Sequence, residues 1–288
     1  MACTFRAGLE VYAPSARGTA RPEGRQLALQ AVRGKADAFL DETGKFYSLL
    51  ADVAVRIPRP PYKLKEIARQ TWFIASVSLL PALLLTLSFG LVIGLEVYNI
   101  TRQFGADSAQ GAAMVLAIVR EIGPLGTTFM MAAAGGTAIT ADLGSRKVRD
   151  EIDAMKVMSV DPIKDLVVPR VIAAALATLL MTAIVIVGGI LGGYLYAVVL
   201  KGTNSGAYFQ GFNTLARMPD LYLALTKGFV FGIVAASISA WKGLYAKSGP
   251  SGVGMAVNRG VVLTLVALVV VNLIMTYAYF SFVPDAIR

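Results

Sequence analysis

The charged residues of this chain are scarce, 16% of its 288 positions, and they gather into patches. The densest patch runs from Asp142 to Arg170 and holds six acids and six bases. At its centre is EIDAMKVMSVDPIKDLVVPR, Glu151 to Arg170. Val148, Ile152 and Met155 fall at i, i+4 and i+7, on one face of a helix, and Met158 continues that face by a turn. Asp150, Glu151, Asp153 and Lys156 take most of the remaining surface, and Pro162 ends the helix after Ser159-Val-Asp161. A short amphipathic helix of balanced charge, with Met on its exposed face, suits insertion into a partner's groove, because Met adapts its shape. The alternative is a loop helix packed on its own protein.

The other ionisable residues of interest are Glu96, Arg120, Glu121 and Lys227, which border long apolar runs. Such residues flag function in a membrane, and interfacial placement explains them equally well. Arg120-Glu121 reads as a local ion pair closing a helix end, and Lys227 as a side chain that snorkels. No series of carboxylates resembles a proton relay. Histidine is absent, which removes the commonest general base and metal ligand. The one cysteine, Cys3, excludes an internal disulfide and a cysteine metal cluster. Residues 243–254, GLYAKSGPSGVG, have the glycines of a phosphate loop but not the order G-x-x-x-x-G-K-[ST]. The expectation is a non-catalytic chain with no cofactor or metal of its own.

The elements that carry these residues follow from hydropathy. The chain is 56% hydrophobic, with a mean hydropathy of +0.64. Thr71–Leu95, Ile122–Ala141, Val171–Leu200 and Gly260–Pro284 are free of charge, and each is long enough to cross a ~30 Å hydrocarbon core. A fifth run, Leu221–Trp241, is broken only by Lys227. The expected fold is all-α and polytopic, with about five transmembrane helices over 71–97, 120–141, 167–200, 221–241 and 259–283, and the amphipathic helix over 144–159. Residues 99–121 form either a re-entrant or outer-leaflet helix or an extension of the second span, with Gly123-Pro124 permitting a kink. The second span is rich in small residues, which suits close helix packing, and the third carries Gly188-Gly189 and Gly192-Gly193, which serve the same end or mark a bend.

Residues 1–35 read as loosely ordered, and 36–69 as an interfacial amphipathic helix followed by a proline-rich elbow, or else a soluble helix. Twelve of the twenty-seven Lys and Arg lie in 1–70 and six in 142–170, which places the N-terminus and the Glu151 segment in the cytoplasm and the C-terminus on the periplasmic side. The net charge of +9 then faces anionic lipid headgroups and not nucleic acid.

Arg120-Glu-Ile-Gly-Pro124, Thr140-Ala-Asp-Leu-Gly144 and Met155-Lys-Val-Met-Ser-Val-Asp-Pro162, in that order, resemble the MlaE/YrbE permease family, whose members read REIGP, TAE-[IL]-G and M-x-V-D-P. The resemblance covers about residues 70–285, and the long polar N-terminus is similar to YrbE-type members of actinobacterial Mce loci. It implies a permease domain over 70–288 in which Asp142, Arg146, Arg149, Glu151, Ile152, Met155, Lys156, Met158 and Asp161 couple to a cytoplasmic ATPase, while Arg120, Glu121, Gly123, Pro124 and Pro162 are structural. Asp142 stands where Glu is common, and Ala134 where some members place Arg, departures that suit one half of a heterodimer.

The same resemblance implies a membrane subunit of an ABC-type lipid importer in the inner membrane. Two permease copies or paralogues would sit on two ATPases that hold the ATP and Mg, and Mce-domain proteins on the outer side would carry phospholipids, fatty or mycolic acids, or sterols. The expected cavity lining is Met130 and Met131 with Tyr277. A membrane scaffold that moves no substrate, and an ion-coupled carrier, are the competing readings.

Overall fold

The structure is a computed structural model that describes residues 44–57, 64–106 and 109–282. The chain divides into two units, residues 1–47 and 48–288. The expectations for residues 1–35, the start of the interfacial helix and the elbow at 58–63 lie outside the described residues. Eight helices and no strand are present among the described residues: α1 (44–56), α2 (Leu64–Gln103), α3 (Ala109–Val148), α4 (Glu151–Val157), α5 (Ile163–Leu200), α6 (Ser205–Leu215), α7 (Met218–Leu244) and α8 (Pro250–Phe282). Helices α2, α3, α5, α7 and α8 are each long and apolar enough to span a membrane.

All five outrun the apolar segments that announced them, because helical backbone continues into flanking polar sequence. Residues 109–121 are the extension of the second span and not a separate helix. Within α3 the register widens into π turns at Ile118–Ile122 and Met131–Gly135, and α5 has two more, at Ile163–Val167 and Leu195–Leu200. About half of the 243–254 loop is helix, since α8 begins at Pro250, a residue favoured in a first turn.

Helices α2 and α5 form the closest pair. Every fourth residue of α2 from Ile74 to Tyr98 is buried, and this stripe includes Ser78, Ala82, Thr86, Gly90 and Gly94. Lipid chains are as apolar as a helix face, so spans hold together through backbone approach over small residues. A Cβ on Gly90 would meet the Gly189 carbonyl oxygen at 2.3 Å, and one on Gly192 would meet that of Leu87 at 2.5 Å. Helix α7 packs on α5 and on the second half of α3, where the Thr140 hydroxyl donates to the Ser239 carbonyl at 3.0 Å. Helix α8 lies against α7 and α3. Short α6, capped by the Asn204 side chain accepting from the Gly206 N–H at 2.8 Å, covers the first turns of α3.

Candidate functional site

The Asp142–Arg170 patch folds as the connection between α3 and α5. It is not one helix over 144–159. Asp150 adopts the left-handed region at φ 57°, so α3 stops at Val148 and α4 starts afresh at Glu151. Val148 therefore does not share a face with Ile152 and Met155. The end of α4 is a second left-handed residue, Ser159 at φ 60°, with the Val160 N–H bonded to the Met155 carbonyl at 2.9 Å. Pro162 stands at the entry to α5 and does not terminate α4, which ends at Val157 five residues earlier. Proline fits there because a first helical turn needs no N–H from it.

Ion pairs fix this turn to the bundle. Asp142 accepts from Arg146 at 3.2 Å and from Arg170, which joins the end of α3 to the start of α5. Glu151 receives Arg149 at 2.8 Å and Arg146 at 3.5 Å, and Asp153 receives Lys147 and Lys156. Lys147, then Lys156, holds the Asp153 carboxyl below the usual range. Ile152 is buried beneath α4. With the inner face so occupied, the tip projects Val157, 87% exposed, and Met158, 66% exposed. Met155 is half-buried and Lys156 exposed. Val157 escapes a periodicity count that starts at Val148, because the break at Asp150 shifts the register.

Asp161 is held by a neighbouring helix. Its carboxylate accepts from Arg56 Nε of α1 at 2.7 Å and from the Ile163 N–H at 3.0 Å. Burial pushes this carboxyl up, but the Arg56 guanidinium and the two backbone N–H groups outweigh it and hold the carboxyl low. Arg56 also bonds Asp52 Oδ1 at 2.5 Å, so α1 is tied to the α4–α5 turn.

A second polar cluster lies toward the opposite end of α3, and it overturns two expectations. Arg120 and Glu121 do not pair with each other. Neighbours on a helix point in different directions, and each finds a partner on another helix. Arg120 forms a two-pronged bridge to Asp220 of α7, at 2.8 and 3.2 Å, and the same carboxylate accepts from the Tyr279 hydroxyl of α8 at 2.9 Å. Lys227 does not snorkel; its side chain is 0% exposed. Its ammonium donates to Glu121 Oε1 at 3.0 Å, to Thr276 Oγ1 at 2.8 Å and to the Arg120 carbonyl at 3.0 Å. Those three bonds use every donor it has. Asn272 completes the cluster by donating to Glu121 Oε2 at 2.9 Å.

The Arg-Glu-Ile-Gly-Pro run explains this geometry. Pro124 has no N–H to offer the carbonyl four residues back, which is that of Arg120, and Lys227 serves that oxygen. Gly123 lets α5 approach, since a Cβ there would meet Ile186 Cγ1 at 2.5 Å. Asp220, Asn272, Thr276 and Tyr279 carried no distinguishing mark in the sequence; only the fold brings them to Arg120 and Glu121.

The three residues expected to line a cavity sit apart in character. Met131 is fully buried in the protomer, Met130 packs beside Ala82, Met181 and Val185, and Tyr277 is 77% exposed on α8. Among the described residues no group of three or more Asp or Glu side chains is placed to hold a metal ion.

Comparison with known proteins fits this architecture. Residues 67–278 match the family model described as Permease MlaE. A probable ABC transporter permease protein of Rickettsia felis is 35% identical over 247 residues, covering 84% of this chain and 94% of the relative. The intermembrane phospholipid transport system permease protein MlaE of Haemophilus influenzae is 28% identical over 216 residues, 75% of this chain and 83% of that one. A probable ABC transporter permease protein of Synechocystis is 30% identical over 203 residues, 70% and 77% of the two chains.

Proposed function

This chain belongs to the MlaE permease family of multi-pass ABC transporter permeases, and from that premise we propose that it is the non-catalytic membrane half of an ATP-driven lipid importer. Two such chains, this one with a paralogue, enclose the path for a hydrophobic substrate such as a phospholipid, a fatty or mycolic acid, or a sterol. A pair of cytoplasmic ATPases binds the ATP and Mg, and Mce-domain proteins receive or deliver lipid on the outer side. The twelve Lys and Arg of residues 1–70 and the six of residues 142–170 support a cytoplasmic N-terminus and an α4 that faces the ATPases in the inner membrane.

The observation that carries this reading is the tip of α4. Val157 and Met158 are exposed apolar side chains on a turn where Glu151, Asp153, Arg149 and Lys156 are already paired within the chain. Such a tip suits a groove in a protein partner better than a lipid surface. The turn is joined to α3 by Arg146 and Lys147, and α3 is itself joined to α5 by Asp142 and Arg170. Closure of the ATPases would then shift whole helices, as packed cores move between discrete arrangements and not by gradual bending. The name of the Haemophilus relative, a phospholipid transport permease, supports a lipid substrate.

The double substitution Val157→Asp with Met158→Asp tests it. ATPase copurification and lipid uptake are expected to fall together, with the melting temperature unchanged. Uptake that persists after the ATPase is lost would sink the proposal, and dependence of that uptake on an ion gradient would favour a carrier. A stable, active homodimer of this chain alone would remove the paralogue from it.

A further inference from the structure

A cavity of about 380 Å³ opens between α2, α3 and α5 at the end of the bundle that carries α4. Its polar wall holds Arg69 of α2, Arg146 and Asp142 of α3, and Arg170 of α5. Its apolar wall is Phe73, Ile74, Ala138 and Ile139. The two walls follow from the sequence. Arg69 lies two residues before the charge-free run that begins at Thr71, and Asp142 directly follows the one that ends at Ala141. The cavity therefore straddles the level at which spans pass from apolar to charged, where lipid phosphates lie.

We propose that this cavity binds the phosphate of a membrane lipid headgroup, with the first part of an acyl chain along Phe73 and Ala138. Three guanidiniums from three helices face it, and each carries five N–H donors in a planar fork suited to phosphate. Their bonds within the chain use few of these donors. Arg170 gives one to the Leu166 carbonyl and one to Asp142, and Arg146 gives one each to Asp142 and Glu151, the latter at a long 3.5 Å. Arg69 is 74% exposed, and its pair with Glu66 is a surface i,i+3 contact, the weakest class of ion pair. It is free to exchange that carboxylate for a phosphate. Asp142 is engaged by two guanidiniums at once, so it faces the cavity as a neutralised anchor and not as a repelling charge.

The inference requires a membrane around the chain but not lipid transport. Its location adds a consequence: Arg146 touches both Asp142 and Glu151 of α4, so headgroup occupancy and the position of α4 share a residue.

The test is native mass spectrometry of the full chain in detergent micelles, titrated with dioleoylphosphatidylglycerol or with dioleoylglycerol, which has the same chains and no phosphate. One phosphatidylglycerol per chain is expected to be retained, and dioleoylglycerol not. Arg69→Gln with Arg146→Gln should weaken retention at least about tenfold, since charge-assisted hydrogen bonds are lost. Arg69→Lys should weaken it less. A thermal melt of each variant separates lost binding from lost fold; Arg69→Gln alone, at an exposed position, keeps the test open if the double variant unfolds. Equal retention by wild type and folded variants, or equal retention of dioleoylglycerol, overturns the site. Displacement of the lipid by an equal concentration of inorganic phosphate overturns a lipid source in favour of free phosphate. Lipid retention without ATPase association would separate this site from the transport reading.

Discussion

The two ends of α3 use the same chemistry in opposite ways. At one end Arg146, Lys147 and Arg149 meet carboxylates on a turn where every partner is at least 31% exposed. At the other, Arg120, Asp220, Glu121 and Lys227 meet within the bundle, with Asp220 and Lys227 almost wholly enclosed. Exposed pairs contribute little to stability and adjust cheaply. Enclosed pairs are costly to break, because the remaining charge is stranded in a medium that cannot solvate it. The exposed end suits a surface that must engage and release a partner. The enclosed end suits a joint that fixes α7 and α8 to α3.

Measurements that break or sharpen this contrast can be ranked by expected effect. Lys227→Ala should be the most damaging, destabilising by about 3–5 kcal/mol as Glu121 and the Arg120 carbonyl lose their donor. Thermal unfolding in detergent reads this, and adding Glu121→Gln should return part of the loss. Gly90→Ala comes next, at about 1–3 kcal/mol, because its methyl would lie 2.3 Å from the Gly189 carbonyl oxygen. Lys156→Glu removes one exposed partner of Asp153 and should leave the melting temperature in place while lowering ATPase association. A fall in melting temperature to match that of Lys227→Ala would erase the distinction between the two ends.

The smallest effect is with pH. Asp153 and Asp161 both have carboxyl groups held below their ordinary value of 3.8, so they bind fewer protons in the folded state than in the unfolded one. Their stabilising contribution is complete above that value and fades as pH falls through the depressed one. Hydrogen exchange over 149–163 should therefore be flat from about pH 5 to 8 once corrected for intrinsic rates, and protection should drop only below about pH 4. A change near neutrality would mean that other groups govern the turn.

Much of the fold was legible because a span must be long and apolar, which a reading along the chain detects directly. The five spans, the close packing at Gly189 and Gly192 of the third span, and the helical nature of the Glu151 segment all rest on such local signals. What was not legible depends on three dimensions. Lys227 near the end of an apolar run looks like a side chain reaching for water, and only the convergence of α3, α7 and α8 reveals Glu121, Thr276 and Asn272 around it. Asp161 stands among the expected coupling residues, and nothing local shows that Arg56, 105 residues earlier, lies beside it. The break at Asp150 contains neither Gly nor Pro; the sole local hint is the tolerance of Asp for the left-handed region.

The glycine seam between α2 and α5 has a mechanical corollary. Where two backbones touch with no side chain between them, there is nothing to repack, and any slip meets bare carbonyl oxygens at Gly189 and Leu87. The two helices are in effect welded into a chassis. Any displacement passed from α3 to α5 through Asp142 and Arg170 enters this chassis whole, and the travel must be taken up at its outer margins.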